Sequence, residues 1–191
     1  MAVEATLIPD VMDSSSVQAS GTTAVEVNDL VKTFDNGAVR ALDGVSFAVP
    51  EGQLLVIIGL SGSGKSTLLR HLNGLHSPSE GSVTVLEQNV ANLNRADLRA
   101  LRKDVGFVFQ QFNIVGRLTC IENVLTGTLG RLKGPRLGAS MYPKNLRREA
   151  IEQLDRVGLA ERAWQRTDTL SGGQQQRAAI ARTLMQKPKM V

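Results

Sequence analysis

The chain has 191 residues, 42% of them hydrophobic and 21% charged, the size and balance of one globular domain with a sizeable core; a chain disordered throughout is excluded. Aromatic residues amount to only 4%, so the core must be built from Val, Leu, Ile and Ala, which suits a buried parallel sheet between helices better than an aromatic-rich sandwich. The formal net charge is +4, and the single cysteine, Cys120, excludes an internal disulfide and a cysteine metal knuckle, which fits a reducing compartment such as the cytoplasm.

Residues 1–22 are rich in Ser, Thr, Ala and Gly without a repeating apolar face and read as a disordered leader. No basic region followed by an apolar stretch opens the chain, and its longest apolar run, residues 54–59, is far shorter than the roughly 20 residues that span a bilayer. Residues 24–31 (AVEVNDLV) alternate apolar and polar; a turn at Asp35, Asn36 and Gly37 leads to further short runs at 39–42 and 45–49, as in antiparallel strands. After Pro50, Glu51 and Gly52, residues 53–59 (QLLVIIG) are apolar without alternation, the pattern of a strand covered on both faces. A glycine loop at 59–66 opens a helix over 66–72. Residues 82–86 predict a strand, 95–103 a helix and 105–109 another strand. Thr119 and Glu122 have the spacing of a capping box, opening a helix expected to reach about Leu132. Loop chemistry fills 134–143, a helix is predicted over 145–157, and a last helix over 174–186 stops at Pro188. Lys189, Met190 and Val191 look like the opening of a strand. Residues 112–169 thus read as a helical insertion into an α/β body. Seven bases lie in residues 117–148 against Glu122 alone; a solvated helical surface accounts for them, as would a face held near an anionic membrane surface or an acidic partner.

Two segments carry the chemistry. GLSGSGKS at residues 59–66 fits the phosphate-loop pattern GxxxxGKS, with an apolar strand before it and a helix after it. Gly62 and Gly64 let backbone N–H groups turn inward, Lys65 supplies a mobile charge for outer phosphates, the Ser66 hydroxyl suits Mg²⁺, and the helix start adds its partial positive charge. A dinucleotide fingerprint is excluded because the glycines run GxxGxG and not GxGxxG. LSGGQQQR at residues 170–177 is the second segment: Ser171 is placed to cap the following helix and two glycines free further N–H groups to face an anion.

Both motifs in one chain resemble the ATP-binding-cassette ATPases, whose signature is LSGGQ. The resemblance implies a phosphate-loop α/β fold with a mostly parallel core sheet, an N-terminal antiparallel β subdomain and a helical subdomain over about 112–169, the domain occupying 23–191. It implies that ATP and Mg²⁺ are bound, by Gly59, Ser61, Gly62, Ser63, Gly64, Lys65, Ser66 and Thr67, with Phe34 stacking on adenine. Gln110, at the end of GFVFQ, corresponds to a glutamine that touches Mg²⁺ and the attacking water, Gln111 being its competitor; Ser66 and Gln110 are the metal candidates. Ser171, Gly172, Gly173 and Gln174 would meet the γ-phosphate held by a second copy, two chains sandwiching two nucleotides head to tail.

Only about a hundred residues separate the motifs, so the long coiled coil of the DNA-repair members is absent and a transporter, with no nucleic-acid partner, is indicated. Residues 108–131 (VFQQFNIVGRLTCIENVLTGTLGR) are similar to the phosphonate-importer branch. That branch implies membrane permease subunits met near Val115, Gly116 and Arg117, a substrate-binding protein as indirect partner, and a peripheral place on the cytoplasmic face of the inner membrane. Family members continue past the signature helix to an Asp, a Glu that activates water, and a His. These would lie beyond Val191, and neither His71, His76 nor Glu87, the last read as a turn residue, takes their place. Residues 1–191 are therefore expected to be a C-terminally truncated ATPase, inactive in hydrolysis alone and poorly soluble, with an open edge on the phosphate-loop strand. A non-hydrolysing nucleotide-binding regulatory module is the alternative from another class, and a phosphate-loop kinase is a weaker rival because it has no use for LSGGQQQR.

Overall fold

The computed structural model describes residues 4–7, 22–134 and 138–191, and its contacts divide the chain into two compact units, Met1–Leu98 and Arg99–Val191. The first holds strands β1 (Glu4–Leu7), β2 (Thr23–Phe34), β3 (Val39–Pro50), β4 (Leu55–Ile58), β5 (Glu80–Val85) and β6 (Gln88–Asn89), with helix α1 (Lys65–Leu72) between β4 and β5. Four strands form an antiparallel sheet in the order β3-β2-β5-β6. Val25 and Val27 alternate inward as the sequence pattern requires, then Leu30 and Val31 are both buried. The ladder shifts register between Val27 and Leu30, where Asp29 sits at φ +46°. Its bulge is fixed by Ser46, whose hydroxyl accepts from the Asp29 N–H at 2.8 Å and donates to the Asp29 carboxylate at 3.0 Å. The runs expected at 39–42 and 45–49 are one bent strand, because Asp43 and Gly44 fall between the paired residues Leu42 and Val45 and Gly44 takes φ +69°.

The leader differs from expectation as far as it is described. Glu4–Leu7 is a strand, pairing antiparallel with β4 from Glu4 opposite Ile58 to Leu7 opposite Leu55. The unpaired N–H and C=O row of an apolar strand is a template for any extended segment, and the alternating EATL fills it. Residues 8–21 of the expected leader, like residues 1–3, lie outside the described ones.

Helix α2 (Arg95–Asp104), which contains the division between the units, starts at Asn94, whose side-chain oxygen accepts from the N–H groups of Ala96 and Asp97. The second unit continues with α3 (Cys120–Leu125), α4 (Lys144–Arg156) and α5 (Gly172–Gln186). Ile121, Leu125, Leu154, Leu159 and Met185 are almost fully enclosed in one apolar core, and burial pushes the Cys120 thiol up, so it packs as a small apolar group. The capping box at α3 is formed: Glu122 accepts from the Thr119 N–H at 2.9 Å and Thr119 caps the Glu122 N–H.

Two expectations need correction here. The strand predicted over 105–109 is reduced to a single parallel bridge, Val105 with Met190, and this is the only parallel pairing among the described residues; an extended run becomes a strand only where a neighbour offers consecutive partners, and Met190 offers one. The helix expected to reach Leu132 ends at Leu125 and tightens into a 3₁₀ turn over Thr126–Thr128. Thr126 and Thr128 donate their hydroxyls back to the carbonyls of Asn123 and Leu125, and Gly127 passes so close to the Arg182 carbonyl on α5 that no Cβ fits there.

Candidate functional site

Each unit carries one of the two sequence segments, so the site is built in two parts. In the first, the strand β4 delivers the loop that opens α1. Gly64 occupies the N-cap position at φ +92°, and no side chain caps this helix. A Cβ on Gly64 would lie 2.5 Å from the Ala41 carbonyl oxygen and 2.9 Å from a Leu42 methyl, so glycine is required there by the chain's own backbone as well as by φ. Gly62, also left-handed at φ +82°, has open space where a Cβ would stand. The first N–H groups of α1 therefore have neither an intrahelical acceptor nor a side-chain cap, the arrangement that receives an anion.

Lys65 lies across this loop. Its ammonium donates to the carbonyls of Gly59 at 2.7 Å and Leu60 at 2.6 Å and to the Ser63 hydroxyl at 3.3 Å. Three donors on a flexible stem are thus gathered at the loop, where phosphate oxygens would exchange for carbonyls. Ser61 and Ser66 are exposed, Thr67 is half-buried and Ser63 is buried. An exposed hydroxyl beside uncapped N–H groups is a donor set that fits a phosphate with its hard cation.

Phe34 ends β2, half-buried, with the His76 ring edge-on at a centroid distance of 5.5 Å and the Lys32 ammonium 5.2 Å from its own centroid. Lys32 is held in turn by the Ser77 carbonyl at 2.8 Å. His76 titrates below its usual range, through partial burial first and then the positive charges of Arg70 and Lys32. His71, fully enclosed, faces the Thr67 carbonyl through Nδ1 at 2.8 Å, and burial holds its pKa down as well. His76 thus lies between the Phe34 ring and the ring of His71, 5.7 Å away between centroids. Glu87 is at φ +64° beside Leu86 at +48°, in the turn between β5 and β6, as a turn residue should be.

In the second unit Gln110 and Gln111 are both exposed in a turn, and the structure does not separate them as rivals. The two residues after them, Phe112 and Asn113, take left-handed φ of +59° and +45°. Their carbonyls accept from the Arg182 guanidinium at 2.9 and 2.6 Å. Arg182 was not legible as part of the site: in QRAAIARTLMQ it is one base on a helix face, with no spacing that ties it to residues 112–113.

The signature octamer opens α5. Leu170 is buried at 6% exposure, anchoring the turn, while Ser171, Gly172 and Gly173 are exposed and Gln174 is half-buried. Ser171 and Gln174 form a capping box, with Gln174 Oε1 accepting from the Ser171 N–H at 2.9 Å and Ser171 Oγ from the Gln174 N–H at 3.4 Å. This leaves the Ser171 hydroxyl proton and the Gln174 amide NH₂ able to donate outward. Gln175 turns the other way, giving its amide to the carbonyls of Thr167 and Leu170. A Cβ on Gly172 or Gly173 would meet nothing within 4 Å.

Next to them, Val115 and Arg117 are exposed and Gly116 half-buried, on a loop tied from beneath. The Asn123 side-chain amide donates to the Val115 and Thr119 carbonyls and to the Thr167 hydroxyl at 3.1 Å each, and accepts from the Val115 N–H at 2.9 Å. Thr167 donates its hydroxyl to the Val115 carbonyl at 2.9 Å.

Three comparisons bear on this geometry. A family model described as ABC transporter matches residues 42–191. The chain is 64% identical over 155 residues to a protein of Nocardia farcinica named phosphonates import ATP-binding protein PhnC, covering 81% of this chain and 58% of that protein. It is 60% identical over 167 residues to one of Mycolicibacterium smegmatis named phosphate-import ATP-binding protein PhnC, with 87% and 63% covered. Among solved structures it superposes on the dimeric ATP-binding cassette MJ0796 in a post-hydrolysis state bound to ADP and Pi, with a TM-score of 0.73 at 36% identity, over 86% of this chain and 70% of that one. The chain thus spans 58% to 63% of the length of those two curated relatives.

Proposed function

This chain belongs to the ABC transporter family, and we propose that it is an ATP-binding cassette that couples the binding and hydrolysis of ATP to import. In this reading Lys65, Ser66 and the N–H groups from Gly59 to Thr67 hold the triphosphate, with Phe34 as the platform for the base. Residues 23–191 form the cassette, and its helical part runs over about 112–169. Mg²⁺, when bound at Ser66 and Gln110, supplies the positive charge that offsets the charge on the outer phosphates. Ser171, Gly172, Gly173 and Gln174 serve the nucleotide of a second copy.

The observation that carries the reading is the start of α5. Glycine in a helix costs up to about 1 kcal/mol relative to alanine, yet among the described residues nothing lies within 4 Å of where a Cβ on Gly172 or Gly173 would stand. What needs a bare backbone there comes from outside, and the outward donors of Ser171 and Gln174 suit an anion. The superposed cassette is described as a dimer with ADP and Pi, and a head-to-tail pair of this chain would bring the α5 start of one copy to the phosphate loop of the other. Sedimentation of the chain with and without MgATP tests this directly. Dimers with ATP, absent in Lys65→Ala, are the expected result; a monomer that binds ATP tightly overturns it.

The proposed cargo is a phosphorus oxyanion, a phosphonate before phosphate, since the Nocardia farcinica relative, the more identical of the two, is named for phosphonates and the Mycolicibacterium smegmatis one for phosphate. Among the described residues no helix is long and apolar enough to cross a membrane, so the cassette is proposed to meet permease subunits peripherally, through the exposed loop at Val115, Gly116 and Arg117. Uptake assays with labelled methylphosphonate and phosphate in a deletion strain would tell the two cargoes apart.

A further inference from the structure

The turn that carries Gln110 closes locally, the Phe112 N–H donating to the Phe109 carbonyl at 2.8 Å and the Asn113 N–H to the Gln111 carbonyl at 2.7 Å, and it is also held from a distance. Two successive non-glycine residues in left-handed backbone, Phe112 and Asn113, are costly, and such a pair persists only where surrounding groups over-determine it. Beyond the two local bonds, those groups come from the signature helix. Arg182 directs the two arms of its planar guanidinium to the two carbonyls of that pair, at 2.9 Å from Phe112 and 2.6 Å from Asn113. The end of α2, from which the chain leads into the turn, is fastened to the same helix: Gln186, one turn further along α5, gives its amide to the carbonyls of Arg102, Lys103 and Val105 at 2.8, 3.0 and 3.0 Å. Helix α5 is itself fixed where Arg182 emerges, since Gly127 packs against the Arg182 carbonyl.

We propose that Arg182 is a positioning residue, a fork on the signature helix that sets the Gln110 turn, so that the two ends of α5 place both the signature and the glutamine. The fork shape is what matters. Lysine at 182 would bring a point charge that reaches one carbonyl at a time, whereas the guanidinium fixes two at once and with them the backbone direction leaving Gln111. Burial already holds the Arg182 pKa below the ordinary arginine value, as fits a guanidinium that carries structure inward and not a solvated surface charge. Gln110, exposed between the two fastened points, is thereby displaced whenever α5 shifts along its axis.

This inference rests on the reading of Gln110 as a Mg²⁺ and water contact, and the test keeps the two apart. Hydrogen exchange on the full chain is measured for Arg182→Lys. Amides of residues 112–114 are expected to exchange about tenfold faster, the loss of one charge-assisted hydrogen bond, while those of residues 171–175 and of α3 stay within about twofold. Unchanged exchange at 112–114, or an equal acceleration throughout α3 and α5, overturns the proposal. A second readout is the gain in ATP affinity that Mg²⁺ confers. Arg182→Lys should lose as much of that gain as Gln110→Ala, and the double variant no more than either, with affinity for Mg²⁺-free ATP unchanged; additive losses overturn the coupling. If the unmutated chain shows no Mg²⁺ gain, the assignment of Gln110 fails, and the exchange result still decides the fork. Should Arg182→Lys not fold, nuclear magnetic resonance of the unmutated chain decides instead: slow rotation about the Arg182 Nε–Cζ bond supports the fork, and free rotation overturns it.

Discussion

The starts of α1 and α5 both carry glycines, yet their physics is opposite. At α1 the chain needs its glycine: Gly64 is left-handed and packed on Ala41, and no side chain closes the helix. At α5 no described residue would meet a Cβ on Gly172 or Gly173, and the side chains of Ser171 and Gln174 each accept from the other residue's N–H group. An uncapped start built on a left-handed glycine that the fold itself requires suits the proposed phosphate receptor. A start with unhindered glycines suits the proposed approach of a second copy. The same residue type therefore reports conformation in one place and approach in the other.

Substitutions should split accordingly. Gly64→Ala meets both a left-handed φ and the Ala41 carbonyl, and is expected to destabilise the chain by about 3 kcal/mol, read as a lower urea midpoint; a loss under about 1 kcal/mol would break the comparison at its firmest point. Lys65→Ala removes a charged donor and its bonds to the Gly59 and Leu60 carbonyls but forces no change of φ, so ATP affinity should fall about 10- to 100-fold by calorimetry while the urea midpoint drops less than in Gly64→Ala.

The second unit's self-made caps give a pH signature. Glu122 is held below the usual carboxylate range, first by the Thr119 N–H and then by the Thr119 hydroxyl and Ala139 N–H, against some desolvation. Since its folded pKa is depressed, its contribution is complete above the unfolded value near pH 4 and is lost as the pH falls through the lower folded one. Glu122→Gln should cost about 1 kcal/mol at pH 7 and flatten that acid limb in thermal melts. Smallest of all, Gly173→Ala should leave stability unchanged or raise it by up to about 1 kcal/mol, while ATP-driven association weakens. If it instead destabilises the isolated chain, the glycine serves the fold and the contrast between the two helix starts disappears.

What local chemistry encodes was readable in advance. The glycine loop and its helix, the capping box at Thr119, the cap at Ser171, the helix over Lys144–Arg156 and the turn at Glu87 depend on residues within one or two turns of each other. The misses share another cause. The strand expected over 105–109 found one partner in Met190, the helix from Cys120 was cut short where Gly127 meets α5, and Glu4–Leu7 became a strand because β4 offered it an edge.

The residues alone determined which helix starts carry the side chains proposed to handle phosphate, because loop conformation, caps and periodicity are set by neighbours in sequence. Tertiary structure alone decided how far each element runs, that Gly64 is demanded from within while Gly172 and Gly173 are not, and that Arg182 fastens the Gln110 turn. Those outcomes depend on which distant backbone comes within a few ångströms, and contacts between residues 70 positions apart leave no periodic mark on the sequence.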